Sequence, residues 1–461
     1  MDVNGVLVVA MMITFIGLLF SGYPIAFILG GVAMLFTLVG YCSDIWLGTL
    51  TGLDYLTIGL VVNRLYKVMY SWILIALPLF IFMGLMLDRS GIAEKMMFAM
   101  QDLFGKVRGG LAISVTLIGI LLAAATGIIG ASVVLLGLLS LPAMLKQGYA
   151  KPLAVGTVCA SGTLGILIPP SIMLVMMADQ LSLSVGDLFM GALLPGIILG
   201  ILYIVYLLLI GFFCPGAAPL AKDRQKLEFK MVWSVLKTIL PAGALIVAVL
   251  GSIFAGLATP TEASGIGAFG AIILALANKK LNLEIFRDVL RETFNTTGYI
   301  FAILVGATCF ALVLRELGGD EFIAAIFNKL PFGPYGIITV ILAVVFFLGF
   351  FLDWIEITLI ILPILSPVVA GLGLEVNGFG SVASPGLVWF AILVAITLQT
   401  SFLTPPVGFA IFYLKGVSPP EIELLDIYKG VVPFIILQLI GLFIVMAWPE
   451  LVTWLPSVAY G

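Results

Sequence analysis

SGTLGILIPPS, Ser161 to Ser171, stands between two apolar runs. Pro169 and Pro170 donate no amide hydrogen, and Gly162 and Gly165 loosen the backbone just ahead of them. Both flanks read as helix, so this stretch interrupts one. The composition says what surrounds the interruption. The 461 residues are 62% hydrophobic and 10% charged, where a soluble globular chain carries about 25% charge. Apolar stretches of about 18 residues or more recur from end to end, each long enough to cross a bilayer. An all-α polytopic membrane protein is expected. The alternating ten-residue segments of a β-barrel are absent. The run 1–20 has no basic leader or small-residue cleavage site, so it reads as a first span rather than a signal peptide.

Several chemistries drop out at once. The chain has no histidine, which removes His relays and His-ligated metals, and no GxxxxGK[ST] phosphate loop. Cys42, Cys159, Cys214 and Cys309 are scattered in apolar sequence without paired spacing, which suggests neither a disulfide framework nor a metal cluster.

The sequence also repeats. FIFMGLMLDRSGIAEKM (80–96) has a counterpart in CFALVLRELGGDEFIAAI (309–326), with Gly91 and Gly318 in register at an offset of 227. The apolar stretch 110–142 resembles 336–367, and IPPS (168–171) meets TPPV (404–407) at an offset of 236. The longer final offset fits the glycine-rich loop Gly371–Gly386. Three matches in one order indicate two homologous halves.

Spans are expected at about 5–20, 23–40, 70–88, 186–212, 231–256, 262–277, 297–317 and 430–456. The stretches 109–182 and 336–415 each divide into a re-entrant hairpin and a broken transmembrane helix. Placing the hairpins first (109–145, 336–370) and the broken helices second (151–180, 385–414) puts 17 of the 21 Lys and Arg on one face and 4 on the other. The reverse order gives 15 against 6 and remains open. Because basic residues concentrate in short cytoplasmic loops, the first order is preferred. It makes the halves inverted, with both termini outside. Amphipathic stretches at 44–69, 91–107, 281–294 and 319–331 read as interfacial arms. The expected divisions are 1–69 (N-terminal scaffold), 70–215 (first repeat), 216–296 (linker and central scaffold) and 297–461 (second repeat).

Two breaks at matching places in inverted halves mark a transporter's central site, where unwound carbonyls face a cation and half-helix N-termini face an anion. In hydrocarbon, an unpaired carbonyl is costly unless it lines a cavity. The hairpin tips should meet these breaks. The first tip offers Thr126, Gly127, Gly130 and Ser132; the second, LDWIE, places Asp353 and Glu356 in apolar sequence, where a carboxylate is usually functional. Ser132, Thr163, Ser401 and Thr404 supply hydroxyls. Ser161, Pro169 and Pro405 complete the expected substrate contacts with Thr126, Ser132, Thr163 and Ser401. No Lys or Arg occupies a tip or a break, so an anion would be held by helix ends, hydroxyls and bound cation. In ATPTEASGIGAFG (258–270), Thr259 or Thr261 caps a helix whose first turn holds Glu262.

LPAMLKQGYAKPLA (141–154), SGTLGILIPPSI (161–172), GALLPG (191–196), ATPTEASGIGA (258–268) and LTPPVGFAIF (403–412) together resemble the large membrane subunit of TRAP (tripartite ATP-independent periplasmic) transporters, the DctM family. The first tip departs from that family's serine-rich pattern and keeps Ser132. The resemblance implies an inverted-repeat, elevator-type importer of organic acids coupled to Na+, in the bacterial or archaeal cytoplasmic membrane. Its implied partners are a small four-helix membrane subunit and a periplasmic binding protein, with no nucleic acid. It carries one sodium site onto Ser132, Gly130, Gly162 and Gly165, and another onto Asp353, Thr400, Ser401 and Thr404. In the expected carrier-and-scaffold division, 186–256 and 430–456 belong to the scaffold. A self-sufficient Na+/carboxylate symporter and an intramembrane enzyme are the competing readings. The enzyme lacks histidine, an Asp-rich metal motif and a GxSxG turn.

Overall fold

A computed structural model describes residues 3–105, 107–127, 129–220 and 229–460. Those residues form helices and connections, with no strand among them. The chain opens with α1 (Val3–Leu19), α2 (Ile25–Leu47), α3 (Tyr55–Met69), α4 (Trp72–Arg89) and α5 (Ile92–Phe104). The helices α6 (Gly110–Thr126) and α7 (Ile129–Gln147) form a first hairpin. Then α8 (Lys151–Thr163), a 3₁₀ turn at Leu164–Ile166 and α9 (Ile172–Leu181) make a broken helix. Next come α10 (Val185–Phe213), α11 (Phe229–Phe254), α12 (Pro260–Ala277), α13 (Leu283–Glu316) and α14 (Gly319–Asn328). The second hairpin pairs α15 (Pro334–Leu348) with α16 (Trp354–Glu356), which runs through a π-helical stretch, Ile357–Ile361, into α17 (Leu362–Gly371). A second broken helix, α18 (Pro385–Leu403) and α19 (Phe409–Val417), is followed by α20 (Leu424–Ala447) and α21 (Glu450–Tyr460).

Local chemistry sets many of these limits. Thr259 and Glu262 form a capping box at α12, and Asn282 caps α13 through Ile285 N at 2.7 Å. Gly91 and Gly318, in register in the sequence, both hold left-handed backbone (φ 70° and 75°) at the entries to α5 and α14. The run α4 to α10 and the run α13 to α20 follow one order: a span, a short amphipathic helix, a hairpin, a broken helix and a long span.

Ten helices among the described residues are long and apolar enough to cross a membrane. Their outer faces expose Phe27, Leu208, Phe212, Phe269 and Phe443, a display suited to lipid rather than water. The broken helices are the reverse case. Every residue from Leu153 to Ala178 is buried, as is every residue from Val388 to Leu403. At the first break, backbone left without helical partners therefore lies inside protein, the condition under which a membrane tolerates it.

Several expectations need correction. The arm at 281–294 and the span at 297–317 are one continuous 34-residue helix, α13, because Asn295–Gly298 contains no proline to stop it. The arm at 44–69 is cut: α2 runs on to Leu47, and the Asp44 carboxylate accepts from Thr49 Oγ1, Thr51 N and Thr51 Oγ1 to fix the loop before α3. The stretch 430–456 divides into α20 and α21 at Trp448–Pro449. The long helices α10 and α20 also pack directly on the broken helices, α20 along α8 and α18, α10 against α9, α18 and α20. Lys106, Lys222, Arg224 and Lys226, counted on the basic face, lie outside the described residues.

Candidate functional site

At the first break, α8 ends at Thr163, the chain passes through a 3₁₀ turn, and the peptide between Pro169 and Pro170 is cis. Ser171 Oγ donates to Ile166 O at 2.5 Å, and α9 then begins with no side-chain cap. Its first amides are unsatisfied by helix geometry and carry the positive end of the helix dipole. Gly127, at the first tip with φ 60°, lies against this end: a Cβ on it would stand 3.1 Å from Ile172 N. The tip is thus pressed onto the start of α9, in a backbone conformation that favours glycine.

The first set of expected residues is drawn together by close backbone contact. A Cβ on Gly162 would fall 3.1 Å from Val133 Cα, so α8 touches α7 one residue beyond the buried Ser132. Gly165 sits in the 3₁₀ turn immediately after. Gly130 faces the ring of Tyr413, on α19 of the other half, at 3.1 Å by the same measure. Two expected substrate groups are engaged elsewhere. Ser161 Oγ donates to Thr116 Oγ1 of α6 at 3.2 Å, and Thr163 Oγ1 donates to Ala160 O at 2.9 Å. Both hydroxyls keep lone pairs but spend their protons on structure. Pro169 is fully enclosed in the break. The Thr126 side chain lies outside the described residues.

At the second break, α18 ends at Leu403, the Pro405–Pro406 peptide is cis, and Gly408 turns the chain at φ 56° into α19. Ser401 Oγ donates to Phe346 O at 2.8 Å, joining α18 to the hairpin arm α15. Gly349 passes directly over Ser401, where a Cβ would stand 2.6 Å from its hydroxyl. Thr400 and Thr404 return their protons to Ile396 O and Thr400 O, at 2.8 and 2.7 Å. Asp353 caps α16 by accepting from Trp354 N at 2.8 Å. The side chains of Asp353, Thr400 and Thr404 are therefore each held within their own helix or hairpin, and only that of Ser401 crosses to the hairpin. What joins them is the passage of the tip over α18. Unlike the first break, this one reaches the surface, with Thr404 and Pro405 half-buried and Pro406 exposed.

Some residues at the breaks escaped the sequence. Tyr299 of α13 donates to Glu356 Oε1 at 3.3 Å, while Glu356 Oε2 is buried without a partner. Tyr413 lies within electrostatic reach of Asp353 and Glu356. A buried polar cluster of Tyr203, Gln399 and Gln438 sits between α10, α18 and α20. Each is a polar side chain inside an otherwise apolar span, the one feature that would have flagged it. A cleft of about 770 Å³ lined by Pro78, Arg287, Arg291, Phe294 and Thr297 lies between α4 and α13.

A multi-pass helical membrane protein with two proline-broken helices at its buried centre, each met by a hairpin, has the architecture of a secondary transporter. The family model for the DctM component of the tripartite ATP-independent periplasmic transporters matches residues 12–451, and the chain belongs to that family. It is a transporter component and not an enzyme. The C4-dicarboxylate TRAP transporter large permease protein DctM of Pseudomonas aeruginosa is 29% identical over 86% of this chain and 88% of its own length. The sialic acid TRAP transporter large permease protein SiaM of Vibrio cholerae is 27% identical over 97% of each. Among solved structures, the YdaH transporter of Alcanivorax borkumensis shares the fold, with a TM-score of 0.52 over 84% of this chain and 88% of that one, at 13% identity.

Proposed function

We propose that this chain is the large permease of a TRAP system that imports an organic acid together with Na+. The observation that carries the proposal is the pressing of the first hairpin tip onto the uncapped start of α9, inside a core that contains no Lys or Arg at either tip or break. Helix N-termini then face the substrate's carboxylate, and carbonyls freed by the prolines face sodium. One sodium site takes Ser132, Gly130, Gly162 and Gly165. The other takes Asp353, Thr400, Ser401 and Thr404. Bound sodium supplies the positive charge that the side chains lack, so cation and anion favour each other's binding by the same factor.

The matching order of elements in α4–α10 and α13–α20 supports inverted halves with two re-entrant hairpins, placed in the cytoplasmic membrane with both termini in the periplasm. The hairpins, the broken helices, α10 and α20 make a compact carrier. The helices α1 to α4 and α11 to α13 make the scaffold against which it moves as an elevator. The enclosed first break and partly open second break fit a protein that exposes its site to one side at a time. A small four-helix membrane subunit supports the scaffold, and a periplasmic binding protein delivers substrate. Since relatives of similar identity are named for C4-dicarboxylates and for sialic acid, the particular acid is assigned to the binding protein.

Reconstitution tests this. Proteoliposomes holding the chain and its small subunit, given binding protein, labelled acid and an inward Na+ gradient, are expected to accumulate the acid, and to stop when choline replaces sodium. Uptake by the chain alone, without binding protein, would instead establish a self-sufficient symporter.

A further inference from the structure

Four helix ends gather at one end of the molecule, and they are basic. Arg89, the last residue of α4, pairs with Glu292 of α13 at 3.0 Å. Lys95 of α5 donates to Asn278 Oδ1, just past α12, at 2.6 Å, and Lys280 lies against Gly91. Lys279, Arg287 and Arg291 belong to the same region of the chain, the one that the distribution of Lys and Arg assigns to the cytoplasmic side. From here α13 rises for 34 residues, about 51 Å, where the hydrocarbon of a bilayer is roughly 30 Å thick. Its apolar run begins at Gly298. Arg291 and Arg287 precede that point by about 10 and 16 Å along the axis, which sets them at headgroup depth.

The cleft of about 770 Å³ between α4 and α13 takes in this part of the helix. Arg287 and Arg291, one turn apart, both line it, and Pro78, Leu290 and Phe294 give it an apolar wall. Leu290 and Phe294 are 46% and 77% exposed, so the wall is open to lipid. Among the described residues neither guanidinium has a carboxylate partner. Glu292 is taken by Arg89, and Glu284 and Asp288 of the same helix form no ion pair and do not line the cleft. Thr297 lines it too, with Oγ1 buried and without a hydrogen-bond partner, whereas Thr293 spends its proton on Val289 O.

We propose that this cleft binds an anionic phospholipid of the cytoplasmic leaflet, with its phosphate on Arg287 and Arg291 and an acyl chain along Pro78, Leu290 and Phe294. Guanidinium groups match phosphate oxygens in charge and in bidentate geometry. A basic pocket between spans on the cytoplasmic side suits such a headgroup. The apolar wall continues from the arginines toward the hydrocarbon, so charge and chain are served in the order in which a lipid presents them. The Thr297 hydroxyl supplies a donor for an ester oxygen. A free phosphate would leave the wall bare, and a zwitterionic headgroup brings its own cation to two arginines that lack an anion. None of these residues belongs to a hairpin or a broken helix, so the site is separate from the one proposed for transport and does not depend on what is carried.

The purified full chain in detergent is titrated with dioleoyl phosphatidylglycerol and with dioleoyl phosphatidylethanolamine, and bound lipids are counted by native mass spectrometry. Wild type is expected to hold one phosphatidylglycerol at least tenfold more tightly than phosphatidylethanolamine. The double variant Arg287→Gln, Arg291→Gln is expected to bind it about thirtyfold more weakly. The double variant Lys279→Gln, Lys280→Gln removes the same charge outside the cleft and is expected to bind like wild type. Millimolar glycerol phosphate, the headgroup without chains, is expected to displace nothing. Equal affinity of wild type for the two lipids would overturn the site without recourse to any variant. Equal losses in the two double variants would reduce it to a diffuse basic surface, and displacement by glycerol phosphate would make it a site for a soluble anion; either result overturns the proposal.

Discussion

Gly156 of α8 and Gly430 of α20 meet backbone to backbone. A Cβ on Gly156 would stand 2.1 Å from Gly430 O, and one on Gly430 would stand 2.1 Å from Pro152 O. Neither glycine holds left-handed backbone, so close approach alone requires them, the usual role of small residues where membrane helices cross. This crossing seats α20 on the first broken helix. Gly430→Ala is expected to destabilise the protein by about 3 kcal/mol, the upper range for overpacking a filled core. Thermal unfolding in detergent checks it, with Gly416→Ala as control, since a Cβ there meets nothing within 4 Å. Equal melting temperatures for the two variants would show that α8 and α20 are not so closely set.

Asp353→Asn separates charge from capping. Asparagine caps a helix as well as aspartate does, so the bond to Trp354 N at 2.8 Å persists and the tip stays folded. Only the negative charge is lost. The sodium concentration giving half-maximal uptake is expected to rise about tenfold, the effect of roughly 1.4 kcal/mol. Unchanged sodium activation would remove Asp353 from the cation site.

Ser401→Ala cuts the bond from α18 to Phe346 O in the hairpin arm. A neutral hydrogen bond of this kind contributes about 1 kcal/mol. Apparent sodium affinity is expected to weaken about fivefold, with expression and thermal stability close to wild type. A fall in maximal rate without a change in sodium affinity would mean that Ser401 holds the hairpin without serving the ion.

Topology can be read by labelling. In a background with all four native cysteines replaced, Gln147→Cys, at the C-terminal end of α7, should react from the cytoplasmic side. Ser381→Cys, in the glycine-rich loop before α18, should react from the periplasmic side. Labelling of both from one side would contradict inverted halves.

The sequence was informative where chemistry is punctuated and silent where it is continuous. Paired prolines at 169–170 and 405–406 located both breaks, because proline acts on the backbone whatever surrounds it. Gly91 and Gly318 aligned the two runs of elements, and both proved to hold the same turn. The seam between 281–294 and 297–317 was misplaced because a change from amphipathic to apolar composition does not stop a helix without a breaker. The partners of α10 and α20 were invisible because packing depends on which face meets which, and helices apolar on all sides do not declare it. Gln399, Gln438 and Tyr203 come from three separate helices and become a cluster only once those helices pack.

The most direct measurement is an electron cryo-microscopy comparison of the chain with its small subunit in sodium and in choline, at a resolution that shows ordered ions. The account predicts density in sodium at both interruptions, coordinated by peptide oxygens near Gly162 and Thr404 and lost in choline. Two dry interruptions, with no ion in either salt and no opening toward the hairpin apices, would contradict it.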